Sequence, residues 1–301
     1  MSTPCIALIG FGEAGGILAQ DLAAQGLRVQ AYDRLQQQPG SLAALQAKAT
    51  QCGVRLCASA AAAAEGAEWV FSAVTAGSAL AVAGELAAHL RPGQVFIDIN
   101  SVAPNTKREA CALIEASGAH YVDAAVMAPV PPQRLQTPIL LGGSQASGLG
   151  PALNALGLNT RVVSEAVGVA SAIKMCRSIM IKGLEALTCE CLSTARQYGA
   201  ETEVLASLHK SFPHMGWDAA LPSYLVSRIA EHGRRRAEEM EEVARTAEDA
   251  GVPAHMSQAT VQAQRGLVER IAAEGLTYAD LEPFSWQALV DRLAAGRPAV
   301  R

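Results

Sequence analysis

Gly10-Phe11-Gly12-Glu13-Ala14-Gly15 follows the short apolar run Cys5–Ile9 and opens a helical pattern, and this juncture constrains the fold more than any other part of the chain. Between a buried strand and a helix, such a segment needs Gly10 for a tight turn, Gly12 for close backbone approach to a phosphate, and Gly15 for close packing of helix on sheet. Phe11, Glu13 and Ala14 complete the loop, and the unpaired N–H groups of the helix N-terminus offer an anion cradle suited to a pyrophosphate. A second β-rich run, Arg28–Tyr32, ends at Asp33, near the spacing of about 20 residues expected of a dinucleotide-binding fingerprint. There Asp33 is expected to accept hydrogen bonds from the adenosine ribose, which favours NAD; Arg34 would pair with a 2′-phosphate and keeps NADP open.

Strand-like and helix-like stretches then alternate. Strands are expected at Trp69–Val74, Val95–Ile99, Tyr121–Val122, Ile139–Leu141 and Thr160–Val163, with helices at Gly15–Gln25 and Ser78–Leu90 and an alanine-rich helix surface at Ala60–Ala64. This order predicts an α/β domain, a Rossmann-type doubly wound parallel sheet covered by helices on both faces. From about Glu165 no β-branched run of strand length recurs, so residues 164–301 are expected to form an all-α domain after a dinucleotide-binding domain at 1–163. A long helix from Val169 to Tyr198, ended by Gly199, leads into it, with helix breaks at Pro213, Pro222 and Pro253.

Composition narrows the function classes. Half the residues are hydrophobic and 17% charged, enough for a full core, and the net charge of −4 supplies no field that would draw nucleic acid or anionic lipid. The seven cysteines contain no CxxC and no Cys/His cluster, so neither a disulfide framework nor a metal site is expected, and a reducing cytoplasm fits. The start, Met1-Ser2-Thr3-Pro4, has no basic leader, and no run of about 18 apolar residues suggests a membrane span.

The helix after Gly168 carries an unusual polar arc: Ser171, Lys174, Arg177, Ser178, Lys182 and Glu185, with Ile181 as its apolar intruder. It reads either as the lining of a cleft or as a solvated face, while Ile173, Met175, Cys176, Ile179, Met180 and Leu184 are expected to be buried. A lysine amine ordinarily titrates near 10.4, so Lys174 as a base would need desolvation or nearby positive charge, such as Arg177, Lys182 or an oxidised nicotinamide. Such a base accepts a hydroxyl proton as hydride leaves the carbinol carbon.

In motif order the first 190 or so residues resemble the β-hydroxyacid dehydrogenase family, which includes 3-hydroxyisobutyrate, tartronate semialdehyde and 6-phosphogluconate dehydrogenases. The glycine segment with Ala19 and Leu22, Asp98-Ile99-Asn100-Ser101-Val102-Ala103-Pro104, Asp123-Ala124-Ala125-Val126, and Gly168 to Ser178 are similar to its successive motifs. The resemblance implies Lys174 as the catalytic lysine, Asn100, Ser101 and Ser178 as substrate-orienting residues, and Val74, Thr75 and Asn100 near the nicotinamide ribose. Two departures matter. The family's Ser-Gly-Gly carboxylate loop is here Met127-Ala128-Pro129, and Pro129 has no N–H. The Asn-Asn after the lysine becomes Arg177-Ser178, where Arg177 would serve a carboxylate or phosphate.

The segment from His232 through Val243 is similar to a subgroup whose C-terminal domain has no assigned function, and the family implies a homodimer through the helical domain. Arg234 with Glu238 and Arg235 with Glu239 read as i,i+4 pairs on a solvated helix. A sharper reading sends His232 and one of Arg234–Arg236 to the cleft, with His209, His214 and Trp217 nearby. The expected activity is hydride exchange between NAD(P) and a small hydroxy acid or related alcohol. An imine reductase or a non-catalytic dinucleotide-binding protein are the alternatives.

Overall fold

The computed structural model describes residues 4–295; Met1, Ser2 and Thr3 of the expected leaderless start lie outside them. Beginning with β1 (Cys5–Ile9), the chain alternates α1 (Glu13–Ala24), β2 (Arg28–Tyr32), α2 (Ser41–Cys52), β3 (Arg55–Leu56), α3 (Ala60–Ala64), β4 (Trp69–Ser72) and α4 (Ala79–Ala87). It continues through β5 (Val95–Asp98), α5 (Pro104–Glu115), β6 (His120–Val126), α6 (Val130–Gln133), β7 (Pro138–Gly142), α7 (Ala146–Ala155) and β8 (Asn159–Ser164). Helices alone follow: α8 (Val169–Gln197), α9 (Glu201–Ser211), α10 (Leu221–Asp249), α11 (His255–Ala273) and α12 (Trp286–Ala295). Two compact units result, Met1–Met175 and Cys176–Arg301. The border expected at residue 163/164 falls at the last residues of β8, whereas the first unit also takes in the first turns of α8.

The first unit is one eight-stranded sheet in the order β3-β2-β1-β4-β5-β6-β7-β8. Five consecutive buried residues in β1 are what a central parallel strand demands, since helices cover both its faces. Side chains alternate between the faces: Ile6 and Leu8 join Leu18, Leu22, Phe71 and Ile97 in one core, and Cys5, Ala7 and Ile9 join Val70, Leu86, Phe96 and Tyr121 in the other. The strand order reverses between β1 and β4, which opens a crevice beyond their carboxyl ends.

Sequence pattern and structure differ at several elements. The first helix starts at Glu13, not Gly15, and Tyr121–Val122 is only the early part of a seven-residue strand. β3, two residues long, has too little pattern to be read. The sheet is not wholly parallel, because β6 and β7 run antiparallel with Asp123 opposite Gly142. The intervening residues 127–137 fall short of the dozen or so a parallel crossover needs. Pro222 begins a helix, occupying the first turn of α10, where a missing N–H costs nothing.

The second unit packs Leu192, Val226, Ile229, Leu267, Ile271, Trp286 and Leu289 into its own core. α10 and α11 approach closely at Gly233, where a Cβ would stand 2.5 Å from the Gln264 carbonyl oxygen. The expected burial on α8 holds for Met175 and in part for Ile179 and Leu184, and fails for the rest. Met180 is 74% exposed, and Ile173 and Cys176 are exposed too, while Lys182 and Glu185 are buried. The reason is partners from distant elements: Lys182 pairs with Glu239, and Glu185 with Arg236 at 3.1 Å while accepting from Gln264 Nε2 at 3.2 Å.

Candidate active site

Four chain segments converge beyond the carboxyl ends of β1, β4, β5 and β6. At β1, Gly10 takes φ +97°, and a Cβ there would lie 2.2 Å from the Ala73 carbonyl oxygen, so glycine is required. Gly12 is different: a Cβ on it would meet no atom within 4 Å. Open space over Gly12, together with an α1 N-terminus that no side chain caps, is what a pyrophosphate needs, so these residues fit a dinucleotide. Glu13 is exposed and Ala14 half-buried at this end, while Phe11 is buried in the core and contributes its backbone.

Asp33 sits one residue past β2, nearly buried, with its carboxylate turned to the glycine loop: Phe11 N–H donates to Oδ2 at 2.8 Å and Leu35 N–H to Oδ1 at 2.9 Å. It thus braces the loop, and each of its oxygens keeps further acceptor capacity. Arg34 is exposed beside it. Lys48 is a residue that sequence reasoning missed. From α2 its Nζ donates to the carbonyls of Phe11 and Gly12 at 2.7 and 2.8 Å and lies 4.6 Å from the centre of the Phe11 ring. Nothing in its local pattern distinguishes Lys48 from a surface lysine.

Beyond β4 and β5, Asn100 ties two loops together. Its Oδ1 accepts from Val74 N–H at 2.7 Å, its Nδ2 donates to Ser72 Oγ at 2.9 Å, and its own N–H donates to Asp98 Oδ1 at 2.9 Å. Thr75 is exposed, its hydroxyl 3.1 Å from that of Ser78. Next to Asn100, Ser101 accepts a hydrogen bond from Lys174 Nζ at 2.5 Å, with both residues half-buried. The structure therefore brings Val74 to Asn100 and Lys174 to Ser101 by hydrogen bonds at adjacent residues of one loop.

The loop after β6 confirms a local departure. Met127 N–H donates to the Pro138 carbonyl at 2.9 Å and its side chain packs on Ala125, Leu140 and Ala170, so neither Met127 nor Pro129 offers a free amide. Of the polar arc on α8, Arg177 is exposed and Ser178 half-buried, both in the second unit.

The charged segment of α10 is turned partly inward, not wholly solvated as the i,i+4 reading supposed, with Glu239 on Lys182 and Arg236 on Glu185; Arg234 and Arg235 are exposed. Burial holds the Lys182 amine below the usual lysine range against the pull of Glu239, and pushes Glu185 up against the pull of Arg236. His232 is half-buried with Nε2 3.2 Å from Glu231, and burial followed by Arg228 lowers it from the ordinary imidazole value. His209 faces Asp218 at 3.1 Å, His214 is exposed, and Trp217 is buried. Among the described residues no helix is long and apolar enough to cross a membrane, and no group of three His, Cys, Asp or Glu side chains is arranged to hold a metal.

Comparison with known proteins adds an independent line. Residues 5–164 match the NAD binding domain of 6-phosphogluconate dehydrogenase, and residues 195–267 match a domain of unknown function, DUF1932. An uncharacterized 28.5 kDa protein of Methanothermus fervidus is 31% identical over 174 residues, 58% of this chain and 65% of that one, so the matched region spans just under two thirds of that relative. The 3-hydroxyisobutyrate dehydrogenase of Pseudomonas aeruginosa is 29% identical over 219 residues, 70% of this chain and 71% of that one. A solved conserved hypothetical protein of Sinorhizobium meliloti is 39% identical, with a TM-score of 0.77 over 97% of each chain.

Proposed function

This chain belongs to the β-hydroxyacid dehydrogenase family, in the branch that carries a C-terminal domain of unknown function, and we propose that it oxidises a small hydroxy acid or related alcohol to its carbonyl, reversibly, with Lys174 as base and acid. The observation that carries this reading is the Lys174–Ser101 hydrogen bond beside Asn100, at the carboxyl ends of the strands that hold the glycine loop. When bound, the nicotinamide dinucleotide supplies a hydride acceptor, NAD or NADP alike, held by Gly10 to Gly15, Asp33, Val74 and Thr75.

Lys174, as the neutral amine, accepts the hydroxyl proton while the carbinol carbon gives up its hydride; as the ammonium it returns that proton to the carbonyl oxygen in reduction. Ser101 orients the amine and, with Asn100 and Ser178, the substrate oxygen. Arg177 replaces the missing amides of the 127–129 loop as the partner for a carboxylate or phosphate. A second copy of the chain covers the exposed α8 stripe Ile173, Met180 and Leu187, which recurs every seven residues and is 39%, 74% and 55% exposed.

The test is a panel of hydroxy acids, polyols and cyclic imines, assayed with NAD and with NADP. Turnover of a hydroxy acid that falls about 10²- to 10⁴-fold in Lys174→Ala, at unchanged cofactor affinity, is the expected result. Full activity in that variant, or turnover of imines alone, would overturn the assignment.

A further inference from the structure

The first unit buries two carboxylates and an ammonium that the proposed reaction does not use. Lys107, with no exposed surface, sits on the inward face of α5 with Pro104, Ala110 and Ile114. Its Nζ lies 3.0 Å from Asp98 Oδ1 and 3.5 Å from Asp123 Oδ1, and it donates to the Asp98 carbonyl at 2.7 Å. Tyr121 completes the group, its hydroxyl donating to Asp98 Oδ2 at 2.6 Å. One cation for two anions leaves a negative charge to be compensated, and Asp123 finds that compensation at a helix N-terminus. Its Oδ2 accepts from Gly168 N–H at 3.1 Å and from Ser171 N–H and Oγ at 3.0 Å each.

Those donors are the opening turn of α8, and Lys174 stands one turn further along. Through Lys107, the same group reaches Asp98, whose Oδ1 takes the Asn100 N–H and so turns the loop that presents Ser101. Both ends of the Lys174–Ser101 hydrogen bond are therefore fastened to one buried charge cluster.

We propose that Asp123 is a positioning residue for Lys174: its carboxylate fastens the first turn of α8, and Lys107 locks that turn to the Asp98 loop that carries Ser101. The inference deepens the proposed function and rests on it for its catalytic meaning, but the geometry is tested without turnover. Asp123→Asn keeps the size and one acceptor while presenting an amide donor to Lys107, which breaks the tie. Ser171→Ala removes one of the three hydrogen bonds and strands no charge, and it carries the test should the first variant not fold.

Two readouts decide. Hydrogen exchange of peptides covering 168–175 is expected to accelerate about tenfold in either variant, as for a lost helix cap. The 13Cε resonance of Lys174, assigned by its loss in Lys174→Ala, is expected to move and to titrate with a changed midpoint, at unchanged NAD affinity. Unchanged exchange at 168–175 with an unmoved Lys174 resonance overturns the proposal, as does exchange raised evenly across the first unit together with lost NAD affinity. Were Lys174→Ala fully active, the catalytic reading would fall while these two measurements still judged the clamp.

Discussion

Each unit buries a charge cluster, and the two are built differently. In the first, Lys107, Asp98 and Asp123 are fully enclosed; Asp123 Oδ2 accepts from three donors at the start of α8, while its Oδ1 meets the Lys107 ammonium at 3.5 Å without a hydrogen bond. In the second, Lys182 meets Glu239 and Arg236 meets Glu185, but Arg236 Nε and Gln264 Oε1 make no hydrogen bond, and the Glu239 side chain is 23% exposed. A fully buried ion cluster holds its side chains where water cannot compete, whereas one with an exposed carboxylate keeps access to water. The two clusters thus differ in burial, the one nearer Lys174 being dry.

The largest effect expected from this contrast is on Lys107→Met, which strands two buried carboxylates and costs about 3–5 kcal/mol in urea unfolding of the first unit. Lys182→Met should cost less, about 1.5–3 kcal/mol, because Glu239 turns to water. Equal costs for the two would erase the distinction. Gly12→Ala sharpens it from the other side: its Cβ meets nothing, so the melting temperature should stay within a degree or so while NAD affinity drops about tenfold or more by calorimetry.

The smallest effect is a pH slope. With its folded value lowered by burial and Arg228, His232 binds more protons unfolded than folded, so stability falls as pH drops through 6.5 toward that lowered value. Glu185, raised by burial, works in the opposite sense at lower pH, so the comparison must be made against a variant. His232→Gln should therefore lose less melting temperature than the parent between pH 7.5 and 5.5; identical slopes would assign the histidine no part.

Self-association follows the same logic of inside and outside on α8. Met180→Glu should shift the mass by light scattering toward the monomer, because a carboxylate would then sit in the heptad stripe; an unchanged mass would place the interface elsewhere.

Much of the first unit is legible in the sequence. β1 and β2 have the expected ends, and Lys174 donates to Ser101, two residues from separate motifs. Pattern reading stumbled where partners come from far along the chain. Lys48 braces the glycine loop from a helix with no local mark of the role, and Lys107 occupies a position in α5 whose neighbours at helical spacing are apolar. That interruption of an apolar face was the available signal for a buried ammonium. α8 departs from its pattern for the same reason: Glu239 and Arg236 draw Lys182 and Glu185 of the polar side inward.

The amino-acid sequence by itself determined the glycine turn, the α/β alternation, the helical second half and the cofactor class, because backbone demands and side-chain periodicity act over a few residues. The tertiary structure alone decided which charges lie inside, how β7 turns back against β6, and which carboxylate closes the start of α8. A buried charge is tolerable only when partners from distant segments arrive together, and no local pattern announces them.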